Sequence, residues 1–122
     1  MERTTYNLPN HAHYLTFSCY RRQQLLTNAL LRRLLLTLWQ EARSKAHFSI
    51  WAYVIMPEHV HLLVYPREED YAMSRILRIL KEPFTRWLVG HWSATAPHML
   101  ERIRVRRGTR LLHRFWQEGG GY

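Results

Sequence analysis

The chain has 122 residues, 47% of them apolar, which allows one modest packed core and argues against global disorder. Its 18 Lys and Arg against 9 acids give a net charge of +9; only Lys45 and Lys81 are lysines, so the excess is Arg, which grips phosphate bidentately and stacks on bases. That balance points to a polyanionic partner, nucleic acid first, while a merely basic protein is the reading that charge alone leaves open.

A single cysteine, Cys19, excludes an internal disulfide and suits a reducing cytosol. No stretch approaches the ~20 apolar residues of a bilayer span, and no long apolar run follows Met1–Thr5 as it would in a signal peptide. Repeats and low-complexity tracts are not evident. Gly119-Gly120-Gly121 is the nearest approach to a linker.

His13 to Tyr20 predicts a first strand. From Leu25 to Lys45, Leu30, Leu31, Leu34, Leu35, Leu38 and Ala42 recur at helical spacing, with Thr27 or Asn28 as cap. Phe48 to Met56 is a strand apolar on both faces and is expected at the centre of a sheet. Pro57-Glu58 makes a turn, and His59 to Tyr65 returns antiparallel. After the polar loop from Pro66 to Asp70, with Asp70 as cap, a second helix begins near Tyr71. It buries Ile76, Leu77, Leu80, Phe84 and Leu88, and Pro83 is expected to kink or restart it.

The segment from His91 to Leu100 has no clear pattern. Arg102 to Arg106 alternates basic and apolar, as an edge strand with one basic face would, and Leu111 to Trp116 could pair with it across Gly108. The order β-α-β-β-α-β is the split βαβ, or ferredoxin-like (RRM-like), α+β arrangement: an antiparallel sheet with two helices on one face and the other face open. Such a face suits a nucleic acid strand or an active site, and the fold does not choose between them.

His59-Val60-His61 is the sharpest chemical signal. Residues two apart on a strand share a face, so both imidazoles project together and could hold one divalent ion. With 8 histidines in the chain, the bare spacing is weak evidence, and a second such triplet, His11-Ala12-His13, is read as polar residues at a strand entrance.

The run from Tyr53 to Val64, YVIMPEHVHLLV, resembles the signature of REP-associated tyrosine transposases and their insertion-sequence relatives, single-tyrosine members of the HUH superfamily. Where the family usually has Asn, this chain has Glu58, either a spare metal contact or, the preferred reading, a solvated turn residue. His113 to Tyr122 resembles the family segment leading into the helix that bears the catalytic tyrosine, and the aligned residue is Tyr122.

The resemblance implies a bacterial cytoplasmic enzyme acting on single-stranded DNA at hairpin-forming repeats, as a monomer or homodimer. His59 and His61 would hold Mg²⁺ or Mn²⁺. Tyr122 would attack the phosphate and leave a 5′-phosphotyrosine link. In the family a polar side chain one helical turn after the tyrosine completes the metal site. The sequence stops at Tyr122, so one domain spanning residues 1–122, truncated before or within the tyrosine helix, is expected.

Arg102, Arg104, Arg106, Arg107, Arg110 and Arg114 form the densest basic segment and are assigned to backbone phosphates. Trp39, Trp51 and Trp87 are read as core, with Trp92 and Trp116 the candidates for base stacking; Tyr53 and Tyr65 are expected to pack. Two functions follow: a metal-dependent transposase, or a catalytically incomplete single-strand-binding module derived from one. The histidine signature favours the first and the missing helix the second.

Overall fold

Strand β3 (His59–Pro66) is the middle of a three-stranded antiparallel sheet ordered β1-β3-β2, with β1 (His13–Ser18) and β2 (Phe48–Ile55) at its sides. The structure, a computed structural model, describes residues 11–118. The other elements are α1 (Ala29–Ala46), α2 (Met73–Thr95), α3 (Pro97–Arg102), β4 (Arg104–Arg107) and β5 (Arg110–His113).

Alternation along the strands sorts the two faces. Leu15 and Phe17 of β1 and Val60, Leu62 and Val64 of β3 are buried against the helices. Helix α1 contributes Leu31, Leu35, Trp39, Ala42 and Ala46, and α2 contributes Met73, Ile76, Leu77, Leu80, Phe84, Leu88 and Trp92. Together they form a single core on one side of the sheet. Asn28 caps α1, its side-chain oxygen accepting from the N–H groups of Leu30 and Leu31 at 2.8 and 3.4 Å. The Trp39 indole N–H donates to the Leu80 carbonyl at 3.1 Å and ties the two helices together.

Several expectations change. Helix α2 runs unbroken through Pro83 to Thr95, and its cap position is Ala72, not Asp70. The unpatterned segment from His91 is the end of α2 followed by α3. Strand β2 lies at the edge of the sheet rather than its centre. Its open-face residues Trp51 and Val54 are exposed, and so is Tyr53, which lies on the helix side with its ring edge-to-face against Trp39.

The split βαβ frame is present but its last strand differs. Strands β4 and β5 form a separate hairpin, turning at Gly108 with φ +62°. Residues 115–117 instead lie beside the end of β1: Cys19 bridges Trp116, the Tyr20 N–H donates to the Phe115 carbonyl, and the Gln117 N–H donates to the Ser18 carbonyl, the last two at 2.7 Å. Phe115 and Trp116 are buried here, and β5 therefore ends at His113.

Candidate functional site

Because β3 is central, its open-face residues have neighbours on both sides. His59 lies opposite Ser18, and His61 lies between Thr16 of β1 and Val54 of β2. Both imidazoles project from this face, half-buried, and their Nε2 atoms meet at 2.8 Å. The rings stand edge to face, with centroids 4.6 Å apart. Val60 between them is fully buried, as the strand period requires.

The pair is held from both ends. The Glu58 carboxylate accepts from Nδ1 of His59 at 2.9 Å, and the Tyr14 hydroxyl bonds Nδ1 of His61 while its ring stacks on that imidazole at 5.7 Å. Glu58 therefore faces His59 and not open solvent alone: with the proton of His59 on Nδ1, this bond leaves Nε2 as the atom that carries the lone pair. One proton per link satisfies the chain from Tyr14 through His61 and His59 to Glu58.

These residues fit two positions of a divalent metal site. Neighbouring ligands of one octahedral ion, at ~2.1 Å each, lie about 3 Å apart, close to the observed Nε2 separation of 2.8 Å. Binding would require His61 to carry its proton on Nδ1, where the Tyr14 oxygen can accept it. Imidazole nitrogen suits Mn²⁺ better than Mg²⁺, which prefers oxygen. Among the described residues, no group of three or more His, Cys, Asp and Glu side chains forms a metal cage.

Sequence reading overlooked Arg22. Beyond β1 the chain makes a 3-10 turn at Tyr20–Arg22, in which Arg21 and Arg22 take φ of 55° and 54°. Non-glycine residues seldom adopt this left-handed backbone, and it concentrates where a side chain must be aimed. Arg22 Nη1 donates to the Ser18 hydroxyl at 3.3 Å, and Ser18 is the register partner of His59. An exposed guanidinium therefore stands beside the histidine pair. The signal lay in backbone conformation, to which an Arg-Arg dipeptide gives no clue.

The same turn reaches the basic segment. The Arg21 N–H donates to Oε1 of Gln117 at 3.0 Å, and the Gln23 side chain donates to the Arg102 carbonyl at 2.7 Å. Arg104, Arg106, Arg107 and Arg110 lie exposed on the β4–β5 hairpin. Arg102 belongs to the end of α3, not to the strand. Glu118 pairs with Arg107 at 2.9 Å and with Arg114 at 3.4 Å. Arg102, Arg104, Arg106 and Arg110 have no acidic partner among the described residues, so their charge faces outward undiminished.

Other candidates fall away. His13 faces the core side, where its Nε2 bonds the Tyr71 hydroxyl at 2.7 Å. Trp92 and Trp116, proposed for base stacking, are each only 5% exposed. Burial pushes the Cys19 thiol up to about 12, so it remains protonated and unreactive. Tyr122 lies outside the described residues.

No curated protein matches the chain. Among solved structures it resembles a REP-associated tyrosine transposase bound to a REP hairpin, with TM-score 0.70 and 23% identity, covering 98% of this chain and 59% of the other. It also resembles a candidate transposase from Deinococcus radiodurans R1, with TM-score 0.66 and 16% identity over 98% of this chain and 82% of that one. At these identities the likeness speaks to fold, and the chain spans about three-fifths of the first structure's length. Among the described residues no helix is long and apolar enough to cross a membrane. Residues 7–107 match the family described as "Transposase IS200 like", and the chain belongs to that family of transposases.

Proposed function

We propose that this transposase is a metal-dependent transesterase of single-stranded DNA that nicks and rejoins a strand at hairpin-forming repeats through a 5′-phosphotyrosine link. The observation that carries this reading is the convergence of the His59 and His61 Nε2 atoms at 2.8 Å on an open sheet face. The relative bound to a REP hairpin supports a folded-back strand as the partner, and the exposed Arg side chains of the hairpin and α3 supply the cationic surface for its phosphates.

A divalent ion on the two Nε2 atoms, Mn²⁺ or Mg²⁺, would neutralise charge developing on the scissile phosphate. Glu58 and Tyr14 orient the two rings, and Arg22 binds a phosphate oxygen from beside Ser18. In the chemical step the Tyr122 oxygen forms a bond to phosphorus and the bond to the 3′-oxygen breaks. The phenolic proton passes to the departing 3′-hydroxyl. One phosphoester replaces another, so rejoining the strand needs no ATP.

The test is incubation with a labelled hairpin oligonucleotide and Mn²⁺, followed by denaturing electrophoresis. The wild type should form a covalent adduct, and the double variant His59→Ala/His61→Ala should form none while still binding DNA. Adduct retained in the double variant would remove the histidines from the reaction. DNA binding with no adduct from the wild type would favour the binding-module reading.

A further inference from the structure

Farther along the open face, two aromatic rings lie flat against each other. Trp51 and Tyr65 stack with centroids 4.8 Å apart and planes 9° apart. We propose that this pair is a stacking platform for unpaired bases of the bound strand, on the same sheet face as the histidine pair. The proposal deepens the single-stranded DNA reading and rests on it.

Three observations carry it. First, Trp51 occupies the irregularity in β2 between Ile50 and Ala52. A bulge of this kind adds an unpaired residue and re-aims its side chain. Here it delivers an indole that is 59% exposed, whereas Trp39, Trp92 and Trp116 are buried. The apolar core gains little from Trp51.

Second, the platform is in line with the site. His59, His61, Leu63 and Tyr65 alternate along β3 on one face, and at ~3.3 Å per residue Tyr65 lies about 13 Å from His61. The surface between them is an apolar trough lined by Tyr14, Ala52, Val54, His61 and Leu63.

Third, the occupant must present flat π faces and a polyanionic backbone. The chain's net charge of +9 favours the backbone, and the exposed indole favours a base face. A duplex buries its base faces in its own stack, so a single strand fits and a duplex does not.

The experiment is fluorescence anisotropy with a labelled DNA hairpin, blunt or carrying an unpaired flank, in parallel with sedimentation to read oligomeric state. Trp51→Ala should weaken binding of the flanked hairpin about tenfold, with Trp51→Phe between it and wild type, and leave the blunt hairpin unchanged. An abasic nucleotide walked along the flank should reproduce that loss at one position in the wild type and cause no further loss there in Trp51→Ala. Unchanged affinity of Trp51→Ala overturns the platform, as does equal weakening of blunt and flanked hairpins. A dimer that becomes a monomer in Trp51→Ala, with flank binding intact, makes this face a protein interface instead. If the wild type binds the blunt and flanked hairpins equally, the platform fails alone; if it binds neither, the single-stranded DNA reading fails with it.

Discussion

Glu58 and His59 are adjacent in sequence, and the Glu58 carboxylate accepts from Nδ1 of His59 at 2.9 Å, so that Nε2 faces the neighbouring His61. A carboxylate behind a ligating imidazole fixes its tautomer and raises its basicity, and such partners are worth 10–100-fold in metal affinity. Glu58→Ala is therefore expected to weaken Mn²⁺ binding by about 10–100-fold, and Glu58→Gln by less, because its amide oxygen still accepts the bond. Titration calorimetry of the DNA-free protein reads this directly. Equal affinities in all three proteins would show Glu58 to be a turn residue with no hold on the site.

Arg22 offers a different readout. As a phosphate contact it contributes to counterion release, and losing one such contact should lower the slope of log affinity against log salt by roughly 0.7. The triple variant Arg102→Ala/Arg104→Ala/Arg106→Ala should lower it by about 2 on the same reasoning. The two differ in consequence. The Arg22 guanidinium stands beside His59's register partner, so Arg22→Ala should also slow adduct formation at saturating DNA, while the triple variant should regain the wild-type rate once saturated. A full recovery of rate by Arg22→Ala would confine Arg22 to general affinity.

Phe115 holds the site's support together. It is fully buried, with ring centroids 4.9 Å from Phe84 and 4.7 Å from Trp116, and its carbonyl accepts from Tyr20 at the entry to the Arg21–Arg22 turn. Phe115→Ala should cost about 3–5 kcal/mol, as large buried aromatics do. Urea unfolding measures it; a loss under 1 kcal/mol would mean that residues 115–117 are not part of the core.

Strand β3 was legible because the β-rich run from His59 to Tyr65 follows the Pro57-Glu58 turn, and α2 was legible because Ile76, Leu77, Leu80, Phe84 and Leu88 repeat at one angle. The convergence of His59 and His61 followed from strand period alone. Strand β2 was misplaced because hydropathy does not separate a buried aromatic from one kept at the surface: Trp51 and Tyr53 read as core and are exposed, while Trp92 and Trp116 read as available and are buried. The departure at the last strand arises from contacts between Cys19, Tyr20 and residues 115–117, distant in sequence and invisible to any local pattern.

Acid should destabilise the fold through two histidines. Burial lowers the pKa of His13, and the nearby His11 adds to the effect; burial lowers that of His113 as well, aided by Arg104. In the unfolded chain both return to about 6.5. Below that pH the unfolded state binds more protons than the folded one, so this stability is fully present above about 6.5 and is lost as pH falls toward the lowered folded values. Melting temperature should therefore drop as pH falls below about 6.5, and His13→Gln/His113→Gln should flatten the decline. An unchanged slope in the double variant would place the acid sensitivity elsewhere.

The last prediction concerns which tyrosine carries the DNA. Tyr14 is the rival to Tyr122, because its hydroxyl bonds the histidine pair directly. That bond is made to Nδ1 of His61, whereas the two Nε2 atoms face each other from the far sides of the rings. Tyr14 is thus placed to orient a ring rather than to reach a phosphate held at the Nε2 atoms, and its loss should act as loss of an outer hydrogen bond does. Tyr14→Phe is expected to reduce the rate of adduct formation about tenfold and leave the final amount unchanged. Tyr122→Phe should abolish the adduct at all times while preserving hairpin affinity, since removing a nucleophile removes the bond itself. Denaturing electrophoresis over a time course separates the two variants, and peptide mapping of the labelled protein identifies the linked residue. An adduct that survives Tyr122→Phe and disappears in Tyr14→Phe would reverse the assignment.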